Sequence, residues 1–202
     1  MTLKYYADEM ARYGDMGSIS VETALVALDK AYHRFNLPRL KFVVNPRKRN
    51  WSHYKPGLNM ASPKGRLCPP LQVPTIEMSP RMMTWKTVLH ELGHHIHYVR
   101  FNDKVVKRAV ADGIKVFDTS KSGRLDYGVW IIKNVKREHA HGPVHRAIMQ
   151  ELVNYFLEIG MITVKPTYIQ KAAEIEAARN RPVNPEIAKM ELDLSRTFVV
   201  NG

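Results

Sequence analysis

The chain has 202 residues, 45% hydrophobic and 25% charged, which is ordinary for a globular protein and long enough to bury one self-sufficient core. A single cysteine, Cys68, excludes an internal disulfide and a cysteine-rich zinc ribbon, and the longest apolar runs, such as 129–132, are too short to span a bilayer. The N-terminal stretch MTLKYYADEMARYGD lacks the apolar core of a signal peptide, so the expectation is an intracellular protein that does not enter a membrane.

Ser20 is placed to cap a first helix reaching about Asn36, with Val21, Leu25, Leu28, Tyr32 and Phe35 recurring at three-and-four spacing and Pro38 ending it. LKFVVN, 40–45, reads as a strand, being rich in β-branched and aromatic residues. Residues 46–75 hold six prolines and two glycines, the mark of loops and short edge strands, and TIEMS, 75–79, reads as one more short strand. Ser79 then caps a second helix with Pro80 at its first position, expected to run to about Phe101. Beyond it, DKVVKRAVADG (103–113) reads as a short helix and DYGVWIIKNVKR (126–137) as a strand or hairpin arm. Residues 141–160 form a clear helix, with Pro143 near its start, Val144, Ile148, Leu152, Phe156 and Ile159 along it, and Gly160 as its stop. Two tail helices are expected near 167–180 and 185–196.

The net charge of +12 is unevenly spread. No Asp or Glu occurs from Lys30 to Ile76, while ten Lys or Arg fall inside, among them Arg47, Lys48, Arg49 and Lys55, with Trp51 and Tyr54 interleaved. Cations release counterions from a phosphate backbone and aromatic rings stack on bases, so Arg47, Lys48, Arg49, Trp51 and Lys55 are the candidate nucleic-acid contacts. The plainer alternative is a solvated basic face.

The second helix carries the chemistry. Its segment HELGH, 90–94, is H-E-x-x-H. Residues four apart lie one above the other on a helix, so His90 and His94 can hold one Zn²⁺ from the same face. Glu91 sits about 100° further around the axis, suited to reach a metal-activated water as general base. Trp85, Val88, Leu89, Leu92, Ile96 and Val99 cluster on the other side of the helix. His97 shares the histidine face but lies seven residues from His90, roughly 10 Å along the axis, too far to bind the same ion. The metzincin continuation needs Gly at 97 and His at 100, where this chain has His97 and Arg100. A catalytic zinc needs a third protein ligand, and the downstream candidates are Glu138, His139, His141, His145 and Glu151.

HELGHH followed by REHAHGPVHRAIMQEL resembles the SprT-like zinc metallopeptidases, a family that includes the Spartan protease. LDKAYHRFNLP, LKFVV and TIEMSP agree upstream, so the resemblance covers roughly 20–160. It implies an α+β, zincin-like fold, with a small mixed sheet packed on the H-E-x-x-H helix and further helices C-terminal to it. It also implies Zn²⁺ as cofactor, His90 and His94 as ligands, Glu91 as catalytic base, and His141, of the later H-G-P segment, as third ligand. On that basis 1–17 is an N-terminal extension, 18–162 the peptidase domain, and 163–202 a helical C-terminal extension. This chain departs from the family in three ways. The family commonly reads H-G-P-E-F, whereas here Val144 and His145 fill the last two positions, leaving His145 as a substitute ligand, a substrate contact or an exposed side chain. Residues 102–137, with nine Lys or Arg, look like an insertion serving as a lid, a nucleic-acid contact or a surface loop. No cysteine ribbon follows.

The expected function is therefore a zinc-dependent endopeptidase acting on DNA-associated or DNA-crosslinked proteins, with a substrate strand pairing to an edge of the sheet near 75–79. The alternative is a zinc-stabilised nucleic-acid-binding or assembly module with little peptidase activity. A peptidase with some other protein target shares the same site.

Overall fold

Ser20 caps the first helix through its side chain: Oγ accepts the Thr23 N–H at 3.1 Å. In the computed structural model, which describes Tyr13 and residues 16–57, 60–67, 73–118, 120–139 and 141–163, this helix, α1, runs Val21–Phe35. Its end precedes Pro38. Asn36 turns left-handed (φ 49°), and the Leu37 N–H donates back to the Tyr32 carbonyl at 3.1 Å. Asn tolerates that conformation better than most residues, so it makes the stop before proline is reached.

Three strands follow as one mixed sheet: β1 (Lys41–Val44), β2 (Ser52–Lys55) and β5 (Thr75–Met78), in the order β1-β5-β2. The intervening β3 (Ala61–Ser62) and β4 (Arg66–Leu67) form a separate two-stranded hairpin. β5 pairs parallel with β1 and antiparallel with β2. The 75–79 segment is thus the central strand, with Ile76 and Met78 fully buried and both backbone edges already paired. It cannot receive a substrate strand, contrary to expectation. Among the described residues, the outer strand beside the histidine helix is β2.

The second helix differs from its expected span at both ends. Pro80–Met82 form only a 3₁₀ turn, and Thr84 caps α2, which runs Trp85–Ala111. The Thr84 Oγ1 accepts the Thr87 N–H at 3.2 Å. Nothing between Phe101 and Ala111 breaks a helix, so the short helix expected at 103–113 is mostly the continuation of α2. Residues 126–137 are not a hairpin arm: most of them lie in α3 (Lys121–Asn134), capped by Ser120. The β-branched run VWII favours a strand locally, but Tyr127, Trp130 and Ile131 share one helical face and bury it against the distal half of α2. The last described helix, α4, runs Pro143–Glu158, and Gly160 turns positive (φ 70°) after it.

The fold is α+β, with two cores along α2. The first joins α1, β5, the first half of α2 and α4 through Leu28, Ile76, Met78, Leu89, Leu92, Ile96, Leu152 and Phe156. The second joins Phe101, Val105 and Ala109 of α2 to α3 and to Ala61 of the hairpin. The stretch expected as an insertion is thus built mainly of helix around a core of its own. Among the described residues, no helix is long and apolar enough to cross a membrane. These residues belong to a unit ending at Thr163. The two expected tail helices and nearly all of the N-terminal extension lie outside the described residues.

Candidate metal centre

Both faces of α2 are covered where it carries HELGH. Leu89, Leu92 and Ile96 pack into the first core, and His90, Glu91 and His97 are buried on the other side at 2%, 3% and 1% exposure. The two unspecified positions of the motif have separate tasks. Leu92 is a core residue, and Gly93 lets α4 approach: a Cβ there would lie 2.9 Å from Met149 Sδ and 3.2 Å from His145 Nε2. That close approach brings the start of α4 onto the histidines.

His90, His94 and His145 each offer a nitrogen, and these nitrogens all lie within 4.8 Å of one another, close enough to hold one metal ion. His141 joins them: its Nε2 is 3.0 Å from His94 Nε2, and its ring centroid is 5.2 Å from that of His90. His145, one turn beyond His141, is fully buried and not an exposed side chain. Four imidazoles therefore converge, two from α2, His145 from the first turn of α4 and His141 from the turn just before it, with centroids 4.4–5.5 Å apart. The other downstream candidates are elsewhere. Glu151 forms a two-pronged pair with Arg100 at 2.8 and 3.1 Å, and His139 is exposed.

The surroundings keep His94 and His145 neutral. Burial, then the neighbouring His145, His90, His141 and His97, hold the His94 pKa well below that of an ordinary histidine. Burial and the same kind of crowding push His145 down to about 2. Neutral imidazoles offer lone pairs, the form a metal requires. Glu91 shifts the other way: burial raises its pKa, opposed by the neighbouring His90 and by hydrogen bonds from the Ser52 side chain and the Tyr54 backbone. The candidate base is thus anchored to β2, a link that no spacing in the sequence announces.

His97 is paired rather than idle. Its Nε2 lies 2.9 Å from Glu138 Oε2. The Glu138 N–H donates to the Pro63 carbonyl at 2.7 Å, and Arg137 packs over Gly65, where a Cβ would lie 3.0 Å from the Arg137 Cγ. These contacts pin the segment that leads to His141 against both α2 and the hairpin.

The basic residues expected to meet nucleic acid lie between β1 and the end of β2. Arg47, Lys48 and Arg49 are exposed. The Lys48 and Lys55 ammonium groups lie 5.6 and 5.7 Å from the Trp51 ring centroid. Lys55 is also held by Glu77 at 2.6 Å, so its charge is partly answered within the protein. Trp51 immediately precedes Ser52, a partner of Glu91, which puts this cluster next to the site along the chain. Comparison with family models, curated proteins and solved structures finds no match to the chain.

Proposed function

We propose that the chain is a zinc-dependent endopeptidase of the SprT-like, zincin type, acting on proteins associated with or crosslinked to DNA. The observation that carries this reading is a buried carboxyl, Glu91, beside converging imidazoles whose nitrogens are close enough to share a metal ion. A purely structural metal site has no use for it.

The donor set fits zinc. Nitrogens around a tetrahedral zinc at 2.0–2.1 Å lie roughly 3.3 Å from one another, and the His94–His141 separation of 3.0 Å is close to that. His90 and His94 would hold the ion with His141 or His145 as third ligand. Bound there, zinc supplies a Lewis acid for the scissile carbonyl and for water. Glu91 takes the proton of the attacking water on a carboxylate oxygen and delivers it to the departing amine. Its raised pKa suits a group that must hold a proton between those two transfers. Ser52 and Tyr54 of the outer strand β2 hold that carboxylate, and the Lys48–Trp51–Lys55 cluster next to it offers charge and a ring to a nucleic acid carrying the substrate.

Glu91→Gln is expected to retain the metal and lose cleavage of DNA-bound protein by about 10²–10⁴-fold. Wild-type cleavage by this variant would refute the mechanism. Neutralising Arg47, Lys48 and Arg49 together is expected to weaken affinity for single- and double-stranded DNA, and unchanged affinity would remove the nucleic-acid half of the proposal. The fourth imidazole favours one second reading, a zinc-stabilised binding module whose ion is closed by His90, His94, His141 and His145. In that case metal removal unfolds the chain, and no substrate is cut.

A further inference from the structure

Helix α3 is apolar on two opposite faces. Gly123, Tyr127, Trp130 and Ile131 are buried in the second core. Leu125, Val129 and Ile132 point the other way and are 65%, 41% and 65% exposed. Scattered exposed apolar residues are common, but these three recur at spacings of four and three, the pattern of a helix–helix seam.

We propose that this stripe is a self-association surface, on which a second copy of the chain packs its own α3 antiparallel. The charges beside the stripe select that occupant. Asp126 and Lys133 lie seven residues apart and so share one flank of the helix. When two such helices run antiparallel, with Val129 of each against Ile132 of the other, that flank meets its own copy in reverse. Asp126 then faces the partner's Lys133, and Lys133 the partner's Asp126. This two-fold pairing is self-complementary, as a closed dimer requires. An anionic surface would instead meet Asp126 with like charge at the edge of the stripe. A 14-residue helix is roughly 21 Å long, which gives a contact well below the ~800 Å² per partner of a standard interface. Each copy also carries +12, so the association is weak. A dissociation constant in the range of about 10–500 μM is expected.

The test is sedimentation equilibrium of the full, metal-loaded chain from micromolar to near-millimolar concentration. A monomer–dimer equilibrium is expected. Ile132→Asp should weaken it by at least about 10-fold, since it places a charge in the centre of the seam. Asp126→Lys and Lys133→Asp should each weaken it several-fold, and the double swap should restore it to within about two-fold of wild type. All these positions are exposed, so helix content and metal content should stay at wild-type levels. A monomer at every concentration, association unchanged by Ile132→Asp, or a double swap no stronger than the single ones would each overturn the proposal.

Discussion

His94 and His95 are neighbours on α2 and do opposite things. His95 is fully buried with both ring nitrogens engaged: Nε2 lies 2.9 Å from the Pro38 carbonyl and Nδ1 3.0 Å from the Tyr54 hydroxyl. A carbonyl only accepts, so Nε2 carries the proton and Nδ1 accepts from Tyr54. No lone pair is left for a metal. His94 instead turns Nε2 towards His141, one imidazole facing another. Two such nitrogens share a single proton or a single ion, whereas the ring of His95 is a closed strut between α2, β2 and the end of α1. Burial lowers the pKa of both, but only one of them is available for ligand chemistry.

The largest expected effect breaks the His94 side of this contrast. Structural zinc sites are worth about 10–16 kcal/mol across four ligands, so one ligand is worth roughly 2.5–4 kcal/mol, or about two to three orders of magnitude in affinity. His94→Ala should lose that much, measured by competition with a chelator. His95→Gln should leave metal affinity within about ten-fold of wild type, because its ring is held by Pro38 and Tyr54 and offers the ion nothing. Equal losses for the two variants would erase the distinction.

His141 and His145, before and within the first turn of α4, sharpen the same contrast. Whichever is the third ligand should lose two to three orders of magnitude when changed to Ala, and the other only about 10–100-fold, as a support to the ligands. Comparable large losses for both would identify four-imidazole closure and favour the binding-module reading.

The parts of this arrangement that were legible in the sequence are those fixed by local periodicity. H-E-x-x-H lies within the apolar repeat Val88, Leu89, Leu92 and Ile96, and the helix, the paired His90 and His94, and the displaced Glu91 all follow from turn geometry. His141 stood among five downstream candidates and was singled out only through a resemblance; the structure brings both it and His145 to the cluster. The sequence was misleading where tertiary packing overrides local preference. VWII looked like a strand, and the central position of TIEM could not be seen, because strand order is a long-range property. The roles of His95 and His97 were invisible for the same reason: their partners lie 57 and 41 residues away, with nothing in the spacing to point to them.

The strut has a pH signature. His95 has a pKa of about 4 in the folded chain against an ordinary 6.5, because burial penalises its charged form. Above pH 6.5 the ring is neutral in both folded and unfolded states, and its support for the fold is complete. Below 6.5 the unfolded chain gains the proton first, so stability falls until the folded ring protonates near 4. The full loss from this group is about 3 kcal/mol. Urea unfolding of metal-free protein between pH 7 and pH 4.5 should show wild type losing more stability than His95→Gln, the difference between them isolating this ring from the other histidines. Parallel curves would show that His95 is not the strut described.

The smallest expected effect tests the paired histidine that lies between these extremes. His97 holds Glu138, and Glu138 anchors the segment leading to His141 through the Pro63 carbonyl. Removing the carboxylate leaves the backbone bond to Pro63 intact, so the segment should loosen rather than detach. Glu138→Ala is expected to weaken metal affinity by about ten-fold, at the low end for residues that orient ligands. Glu138→Gln keeps an oxygen that can accept from the His97 ring and should lose less. Stability should fall by about 1–3 kcal/mol in the alanine variant, since it leaves the buried His97 Nε2 without its partner. An alanine variant that binds metal as tightly as wild type would mean that α4 packing against Gly93 alone sets the position of His141 and His145.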